Sequence, residues 1–320
     1  MSTKAEVLKL LEENKGQYFS GEEIAKVCNV SRNAIWKAIK KLQSEGYKID
    51  AISNKGYSLS LESDILSVEG IQKYLKDDSL DIHVETCVTS TNTLTVQQAI
   101  AGQKEGYILI SGMQTQGKGR TGHSFYSPER TGLYMSILLR PPYSPMEATN
   151  ITSMAGVAAC EAMESFGLEP KIKWINDIFL NGKKVVGILS EASISMENLL
   201  MDYVVLGIGF NVYAPENGFP QDIKDIAGCL FTERINDGKN KLAAAFIQSF
   251  MKYYRNWNKE DYYQSYKDHN FILNKEVQIT TPNGLKTVFA KDIDKNFELI
   301  VEDNGQEKVL SSGEVHIKLY

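Results

Sequence analysis

The six residues Gly117-Lys118-Gly119-Arg120-Thr121-Gly122 constrain the middle of this chain more than any other segment. As a bare pattern they satisfy G-x-G-x-x-G, the dinucleotide fingerprint. That fingerprint has physical meaning only between a strand and a helix whose N-terminus holds the pyrophosphate. The strand is there: Tyr107 to Gln114 is apolar and rich in β-formers. The helix is not. Pro128 and Gly132 interrupt the residues after the loop, and a second apolar run extends from Leu133 to Arg140. No acidic residue stands about 20 positions beyond the loop to take a ribose hydroxyl. The pattern therefore predicts strand–loop–strand and excludes a dinucleotide-binding unit at this position. Such a loop must hold an anion with Lys118, Arg120 and exposed N–H groups instead of a helix dipole.

Charge is unevenly distributed along the chain. The net is −5, yet residues 1–61 carry ten Lys/Arg against seven Asp/Glu, while the rest carries 25 against 33. A basic front on an acidic body predicts a division of labour. In the front, Val7, Leu8 and Leu11 mark one helix face, and Ser20 caps a second helix carrying Ile24, Val27 and Cys28. Ser31 caps a third, on which Ile35, Ala38, Ile39 and Leu42 recur at helical spacing. Two short strands, Tyr47–Ala51 and Tyr57–Leu59, flank the turn Asn54-Lys55-Gly56. Three helices and a basic hairpin form a winged helix-turn-helix. Its third helix would enter a DNA major groove, with Ser31, Arg32, Asn33 and Trp36 at its leading end and Lys37, Lys40 and the wing's Lys55 on phosphates. The bland alternative is a helical protein-interaction module with solubilising lysines. A module this small buries too little surface for high specificity, so DNA binding implies a dimer on a two-fold site.

Strands dominate the body. A helix is expected around Val68–Leu75, then a strand Ile82–Thr86 and a helix from Ser90-Thr91-Asn92 to about Ile100. A long helix runs from Glu147 to Phe166, followed by a strand Lys171–Leu180, the turn Asn181-Gly182 and a strand from Lys183. Asn-Gly between apolar runs is a strong hairpin signal. Asp202–Val212 is another strand, and Asn240 is placed as the cap of a helix through Tyr254. From Asn274 onwards, short alternating runs (277–279, 288–290, 299–301, 315–317) are separated by Pro282-Asn283-Gly284 and Asn304-Gly305, the texture of a small β-barrel. The fold class expected is α+β with a largely antiparallel sheet, in three domains: 1–62, 63–272 and 273–320.

Cys28, Cys87, Cys160 and Cys229 are isolated, as are the four histidines, so neither a disulfide framework nor a resident metal site is indicated. No apolar run approaches the roughly 20 residues of a membrane span, and the N-terminus lacks a signal-peptide core. A cytoplasmic protein, not bound to membranes, is expected.

No nucleophile elbow or P-loop occurs. What does occur is a set of polar clusters: Ser90-Thr91-Asn92; the glycine loop with Gln114; Lys173, Asn176, Asp177 and the Lys183-Lys184 pair; and Asn211 at the end of Gly207-Ile208-Gly209-Phe210. Each has a local alternative as a cap, a turn or a solvated charge. Together, cations, amides and backbone N–H groups suit charge stabilisation at a phosphate and a carboxylate, as when a carboxylate is activated by ATP with loss of pyrophosphate.

The chain resembles the bifunctional biotin–protein ligases that also repress biotin operons, along essentially its whole length. The resemblance rests on Gly117–Gly122, on Lys173-Trp174-Ile175-Asn176-Asp177, on Lys184 to Leu189, on Gly207 to Asn211 and on Ser312 to Val315. It implies a class II synthetase-like ligase core and an SH3-like C-terminal barrel. It also implies biotin and ATP, with Mg²⁺, as substrates. Ser90, Thr91, Asn92, Gln114, Lys118, Gly119, Arg120 and Lys184 would hold biotin; Gly117, Lys118, Arg120, Lys173, Asn176, Asp177 and Asn211 would hold ATP. Arg120 and Lys184 would be catalytic, and Phe125 and Trp174 would supply walls. Implied partners are a biotin carboxyl carrier protein, operator DNA and a second copy of the chain in a ligand-linked dimer. Lys118 stands where the family pattern has arginine, and Ile175 where it has proline. A non-catalytic biotin sensor and a lipoate or octanoate ligase are the alternatives.

Overall fold

The computed structural model describes residues 2–144, 147–194, 200–282, 284–313 and 315–316. Asn283 of the expected turn, Glu314 of the 312–315 motif and Ile317 of the last apolar run lie outside the described residues. The chain divides into two units: Met1–Asp78 with Glu233–Ala245, and Ser79–Thr232 with Phe246–Tyr320.

The first unit contains α1 (Thr3–Glu13), α2 (Gly21–Val27), α3 (Arg32–Ser44), the hairpin β1 (Ile49–Ile52) and β2 (Gly56–Leu59), and α4 (Val68–Gln72). Serines start the helices. Ser2, Ser20 and Ser31 each accept a bond from a first-turn backbone N–H, and Glu23 completes a capping box with Ser20. Such caps contribute about 1 kcal/mol each. Ile35, Ile39 and Leu42 of α3 are fully or almost fully buried against Val7, Leu11, Ile24 and Leu59. Burial of each contributes roughly 1.5–3 kcal/mol. This is the winged helix-turn-helix expected from residues 1–61.

The second unit is built on a seven-stranded sheet. Its strands are β3 (Asp81–Glu85), β4 (Tyr107–Ser111), β5 (Gly132–Leu139), β6 (Lys171–Lys173), β7 (Asp177–Leu180), β8 (Lys183–Ile194) and β9 (Met201–Asn211), in the order β3-β4-β5-β9-β8-β7-β6. Among the described strands of this sheet, β3 and β4 pair in parallel and the other neighbours pair antiparallel. Helix α5 (Thr91–Ile100) follows β3 and covers one face through Ala99, packed with Leu109, Leu138 and Val205. Helix α6 (Ala148–Glu164) joins β5 to β6, and Thr152 lies 3.0 Å from Ser190 on the other face. Helix α7 (Gly238–Asn256) packs Phe246 against Phe210 on that second face, with ring centroids 5.7 Å apart. Asn240 therefore lies inside α7 and does not cap it. A further helix, α8 (Glu260–His269), buries Tyr262, Tyr263 and Tyr266 and has no counterpart in the sequence reading.

The expected strand 171–180 is two strands, β6 and β7, joined by a tight turn at Trp174-Ile175-Asn176, where the Trp174–Ile175 peptide is cis. The C-terminal segment forms β10 (Lys275–Thr281), β11 (Gly284–Ile293), β12 (Leu299–Asp303), β13 (Gln306–Leu310) and β14 (Val315–His316). The expected SH3-like barrel is corrected here: these strands form an open sheet, β13-β12-β11-β10-β14, and among the described residues no sheet closes on itself. Closure needs hydrogen bonds between the two edges. The described part of β14 covers two residues, both paired to β10, and β13 is exposed at four of its five positions, without the inward alternation of a barrel wall. Trp174 Nε1 donates to Phe297 O at 2.9 Å and so links this sheet to the turn between β6 and β7.

In the first unit two buried carboxylates, Glu12 and Asp237, meet two partly buried lysines. Lys15 lies 3.1 Å from Glu12 and 3.0 Å from Asp237; Lys73 lies 3.2 Å from Glu12 and 2.7 Å from Asp237. Burial pushes the Glu12 carboxyl up, against the pull of Lys15. Burial also opposes ionisation of Asp237, but hydrogen bonds from Asn240 and Lys73, with the Lys15 charge, outweigh it and hold Asp237 below its ordinary 3.8. The stabilisation from Asp237 is thus fully present above that value and is lost as pH falls through the lower folded one. Asp237→Asn leaves two partly buried ammonium groups facing one carboxylate. Urea denaturation near neutral pH should show a loss of about 3–5 kcal/mol, shrinking in strong acid; a loss below about 1 kcal/mol would remove the pair from the stability account.

Candidate active site

The active-site floor follows from strand periodicity. Successive residues of a strand face opposite sides, so Gly207, Gly209 and Asn211 of β9 share one face, while Ile208 and Phe210 point to the α7 side. The register pairs Gly187 with Gly209, Leu189 with Gly207 and Glu191 with Val205, so β8 contributes Gly187, Leu189 and Glu191 to the same face. On β5, Tyr134 opposes Gly209 and Ser136 opposes Gly207. The glycines leave this face without side chains. A Cβ on Gly207 would stand 2.0 Å from Asn92 Oδ1.

Above the floor lies a cavity of about 1060 Å³. Its lining brings together Ser90, Thr91, Asn92, Gln114, Gly117, Lys118, Gly119, Arg120, Lys173, Asn176, Asp177, Lys184 and Asn211. Those are all the residues expected to hold biotin or ATP. The residues expected on DNA lie in the other unit.

One end of the cavity is polar and uncharged. Ser90 caps α5 through Thr93 N and is buried, as are Thr91 and Asn92. Gln114 Oε1 accepts from Thr91 N at 2.8 Å and lies 3.1 Å from Thr91 Oγ1, while Gln114 Nε2 donates to Ser127 Oγ at 3.1 Å. Helix cap and pocket wall are therefore the same residues, which removes the choice between those readings of 90–92.

The glycine loop spans the gap between β4 and β5. Arg120–Gly122 forms a single 3₁₀ turn, and no longer helix follows. Gly119 N donates to His123 O at 2.7 Å, and Phe125 N to Gly117 O at 2.8 Å. A Cβ on Gly117 would lie 2.4 Å from Phe125 O, so this close turn requires glycine. Phe125 lies over Gly187 and Gly209 and meets Tyr134 edge-on at 6.2 Å, which makes it a wall of the cavity. Trp174 also lines the cavity but is almost fully buried.

The charged part of the lining carries Arg120, Lys173 and Lys184 beside β6 and β7, Lys118 beside Glu191, and the carboxylates Asp177, Glu129 and Asp222. The sequence alone left Lys183 and Lys184 equivalent; a β-bulge separates them. Ile178 pairs with Val186, but Phe179 pairs with Lys184, leaving Val185 as the extra residue. The bulge returns Lys184 to the face of Asp177 and Gly187. Lys184 Nζ lies 2.5 Å from Asp177 Oδ1, whereas Lys183 Nζ donates to Asp225 O at 2.6 Å. Arg120 Nη1 donates to Asn176 Oδ1 at 3.2 Å, and Asn176 Nδ2 to Ile188 O at 2.7 Å. Lys118 Nζ lies 3.5 Å from Glu191 Oε1. Ser136 and Glu191 were not expected at the site. Their signal was available in the alternation that places them on the glycine face.

In the first unit, Arg32, Asn33, Trp36, Lys37 and Lys40 are exposed on α3, and Lys55 is exposed on the wing, its ammonium 5.9 Å from the Tyr18 ring. Ser31 is engaged as the α3 cap, accepting from Ala34 N at 3.2 Å. Among the described residues, no group of three or more His, Cys, Asp or Glu is placed to hold a metal ion, and no helix is long and apolar enough to cross a membrane.

Residues 84–211 match the biotin/lipoate A/B protein ligase family model, and residues 3–58 match an HTH domain model. The chain is 30% identical to the bifunctional ligase/repressor BirA of Bacillus subtilis, covering 98% of each chain. It is 28% identical to the protein of that name from Escherichia coli, covering 95% of this chain and 94% of that one. The solved structure of the biotin protein ligase from Aquifex aeolicus in complex with biotin and ATP superposes with a TM-score of 0.60 at 23% identity, covering 73% of this chain and 97% of that chain; it shares the ligase fold. With the winged helix, the ligase sheet and near-full-length similarity all in place, the chain belongs to the BirA-like family of bifunctional biotin–protein ligases and repressors.

Proposed function

We propose residue roles for an ATP-dependent biotin–protein ligase that also acts as a biotin-responsive repressor. The observation that carries them is the lining of one cavity: neutral hydrogen-bonding groups packed on β5; Arg120, Lys173 and Lys184 beside β6 and β7; and Lys118 between them at Glu191. The neutral end suits a ureido ring, which both donates and accepts, better than the aliphatic chain of an octanoate. Ser90, Thr91, Asn92 and Gln114 hold that ring. The biotin carboxylate then reaches the cationic end, beside the ATP α-phosphate held by Lys173, Asn176 and the glycine loop, with Asn211 at the base.

A carboxylate oxygen attacks the α-phosphorus, an acyl–phosphate bond forms, and the bond to the β-phosphate oxygen breaks to release pyrophosphate. Lys184 and Arg120 offset the negative charge that accumulates at phosphorus. Lys118 supplies charge, without the bidentate fork of an arginine, and Gly117 and Gly119 supply backbone N–H groups. The nucleotide's Mg²⁺ fits the oxygen donors Asp177 and Asn176, since that ion favours one or two carboxylates plus substrate phosphates. A carrier protein's lysine amine next attacks the acyl carbon; a C–N bond forms, AMP leaves with the C–O bond, and the surplus ammonium proton passes to solvent.

For repression, Arg32, Asn33 and Trp36 read operator DNA, while Lys37, Lys40 and Lys55 contact phosphates; Ser31 fixes the start of the helix. One winged helix covers too little DNA for high specificity, which favours a dimer. Strands β3 and β6 are the edges of the ligase sheet; β6 is bridged by Asn270-Phe271, so β3 is the edge we assign to a carrier or a second copy. We place the protein in the cytoplasm, where its four free thiols remain reduced.

ATP–pyrophosphate exchange tests the activity. Exchange should require biotin and be absent with lipoate or octanoate, and Lys184→Ala should lower it by about 10²–10³. Exchange with lipoate but not biotin would overturn the substrate assignment; no exchange at all would favour a non-catalytic sensor; a near-normal mutant would remove Lys184 from the mechanism. Sedimentation velocity with biotin and ATP added should convert monomer to dimer. An unchanged sedimentation coefficient across the accessible concentration range would end the ligand-linked dimer.

A further inference from the structure

The roles proposed for the neutral end leave one charged neighbour unexplained. Glu191 follows Gly187 and Leu189 on the cavity face of β8, and its carboxylate meets two residues that line the cavity. Asn92 Nδ2 donates to Glu191 Oε2 at 2.8 Å, and Lys118 Nζ lies 3.5 Å from Glu191 Oε1. Asn92 Nδ2 also lies 3.3 Å from Leu189 O. Both of these partners accept only, so the Asn92 amide is oriented with its NH₂ toward β8 and its carbonyl oxygen toward β5.

That orientation propagates. Ser136 Oγ lies 2.6 Å from Asn92 Oδ1 and 2.8 Å from Thr91 Oγ1. A serine hydroxyl has one hydrogen to give. Since Asn92 Oδ1 can only accept, it claims that hydrogen, and Thr91 Oγ1 meets the lone pairs of Ser136. Turned the other way, Asn92 would present NH₂ to Ser136, whose hydrogen would then go to Thr91. In the observed orientation Thr91 gives its own hydrogen to Ser136, and its backbone N holds Gln114 Oε1 at 2.8 Å. The chain Glu191–Asn92–Ser136–Thr91 thus has a direction, and a carboxylate at one end sets it. Asn92, Thr91 and Ser136 are buried, where reversing such a chain or leaving one member unpaired is costly.

We propose that Glu191 is a positioning residue for biotin: it sets the donor–acceptor direction of the neutral subsite through Asn92. Its contact with Lys118 ties that subsite to the glycine loop. Glu191 touches no reacting atom. This role rests on the assignment of the neutral end to the ureido ring, which alone requires donors and acceptors in a set order.

Two variants separate direction from charge. Glu191→Met removes the acceptor and the charge; Glu191→Gln keeps an oxygen acceptor for Asn92 but removes the charge. In biotin-dependent exchange, Glu191→Met should raise the KM for biotin about tenfold, the scale of one lost hydrogen bond to a charged group. The KM for ATP should move less than twofold, and Glu191→Gln should recover most of the loss. Isothermal titration of biotin without ATP should show the same pattern in Kd, with thermal unfolding confirming folded protein. Equal rises in both KM values, unchanged biotin affinity in Glu191→Met, or no recovery in Glu191→Gln would each overturn the proposal. A wild-type protein that neither exchanges with biotin nor binds it would instead bring down the ligase reading, and this role with it.

Discussion

The site depends on a patch of β-sheet where three neighbouring positions carry no side chain. Gly187, Gly207 and Gly209 occupy neighbouring positions on β8 and β9, all on one side. The residues between them, Ile188, Ile208 and Phe210, are buried on the opposite side. One face therefore stabilises the sheet by packing, and the other leaves space for ligand. The same glycines let Asn92 and Phe125 approach the backbone more closely than any Cβ would allow. Floor, neutral subsite and wall all follow from this alternation, and the β8 bulge adds Lys184 to the same face.

Ion pairing within the cavity is the second theme. Lys184 meets Asp177, Arg120 meets Asn176, and Lys118 meets Glu191. Each of these three cations, which the proposed chemistry assigns to a carboxylate or a phosphate, already has an oxygen partner. Substrates must take these cations over, so charge on the ligand substitutes for charge on the protein and the cavity does not present these groups bare to a low-dielectric interior. Lys118 and Glu191 are partly solvated, where such a pair is weak, and the loop that carries Lys118 is held by few backbone hydrogen bonds.

Much of this was legible in the residues. Serine caps and the i, i+3, i+4, i+7 stripe of α3 carry the winged helix, because local capping and helical periodicity decide it. The strand–loop–strand reading of 107–140 followed from Pro128 and Gly132, and the hairpin at Asn181-Gly182 from turn chemistry. What stayed hidden depends on long-range pairing. Lys183 and Lys184 are adjacent, and only a bulge against β7 tells them apart. Asn240 looks like a cap until its bonds to Ser67 N and Ile65 O are seen. The C-terminal runs alternate as barrel strands do, yet barrel closure depends on edges that alternation does not specify. Helix α8 buries tyrosines set among charged and polar residues, with no aliphatic stripe to mark its inner face in the sequence.

The central claim is that one cavity makes and retains an acyl adenylate between its neutral and cationic ends. The most direct measurement is mass spectrometry of protein recovered by rapid gel filtration after incubation with ATP, Mg²⁺ and an equimolar mixture of biotin, lipoate and octanoate. The account predicts one equivalent of biotinyl-5′-AMP per chain, lost on addition of a carrier protein as AMP appears. Recovery of lipoyl- or octanoyl-AMP, or of protein carrying biotin and intact ATP with no adenylate, would contradict it.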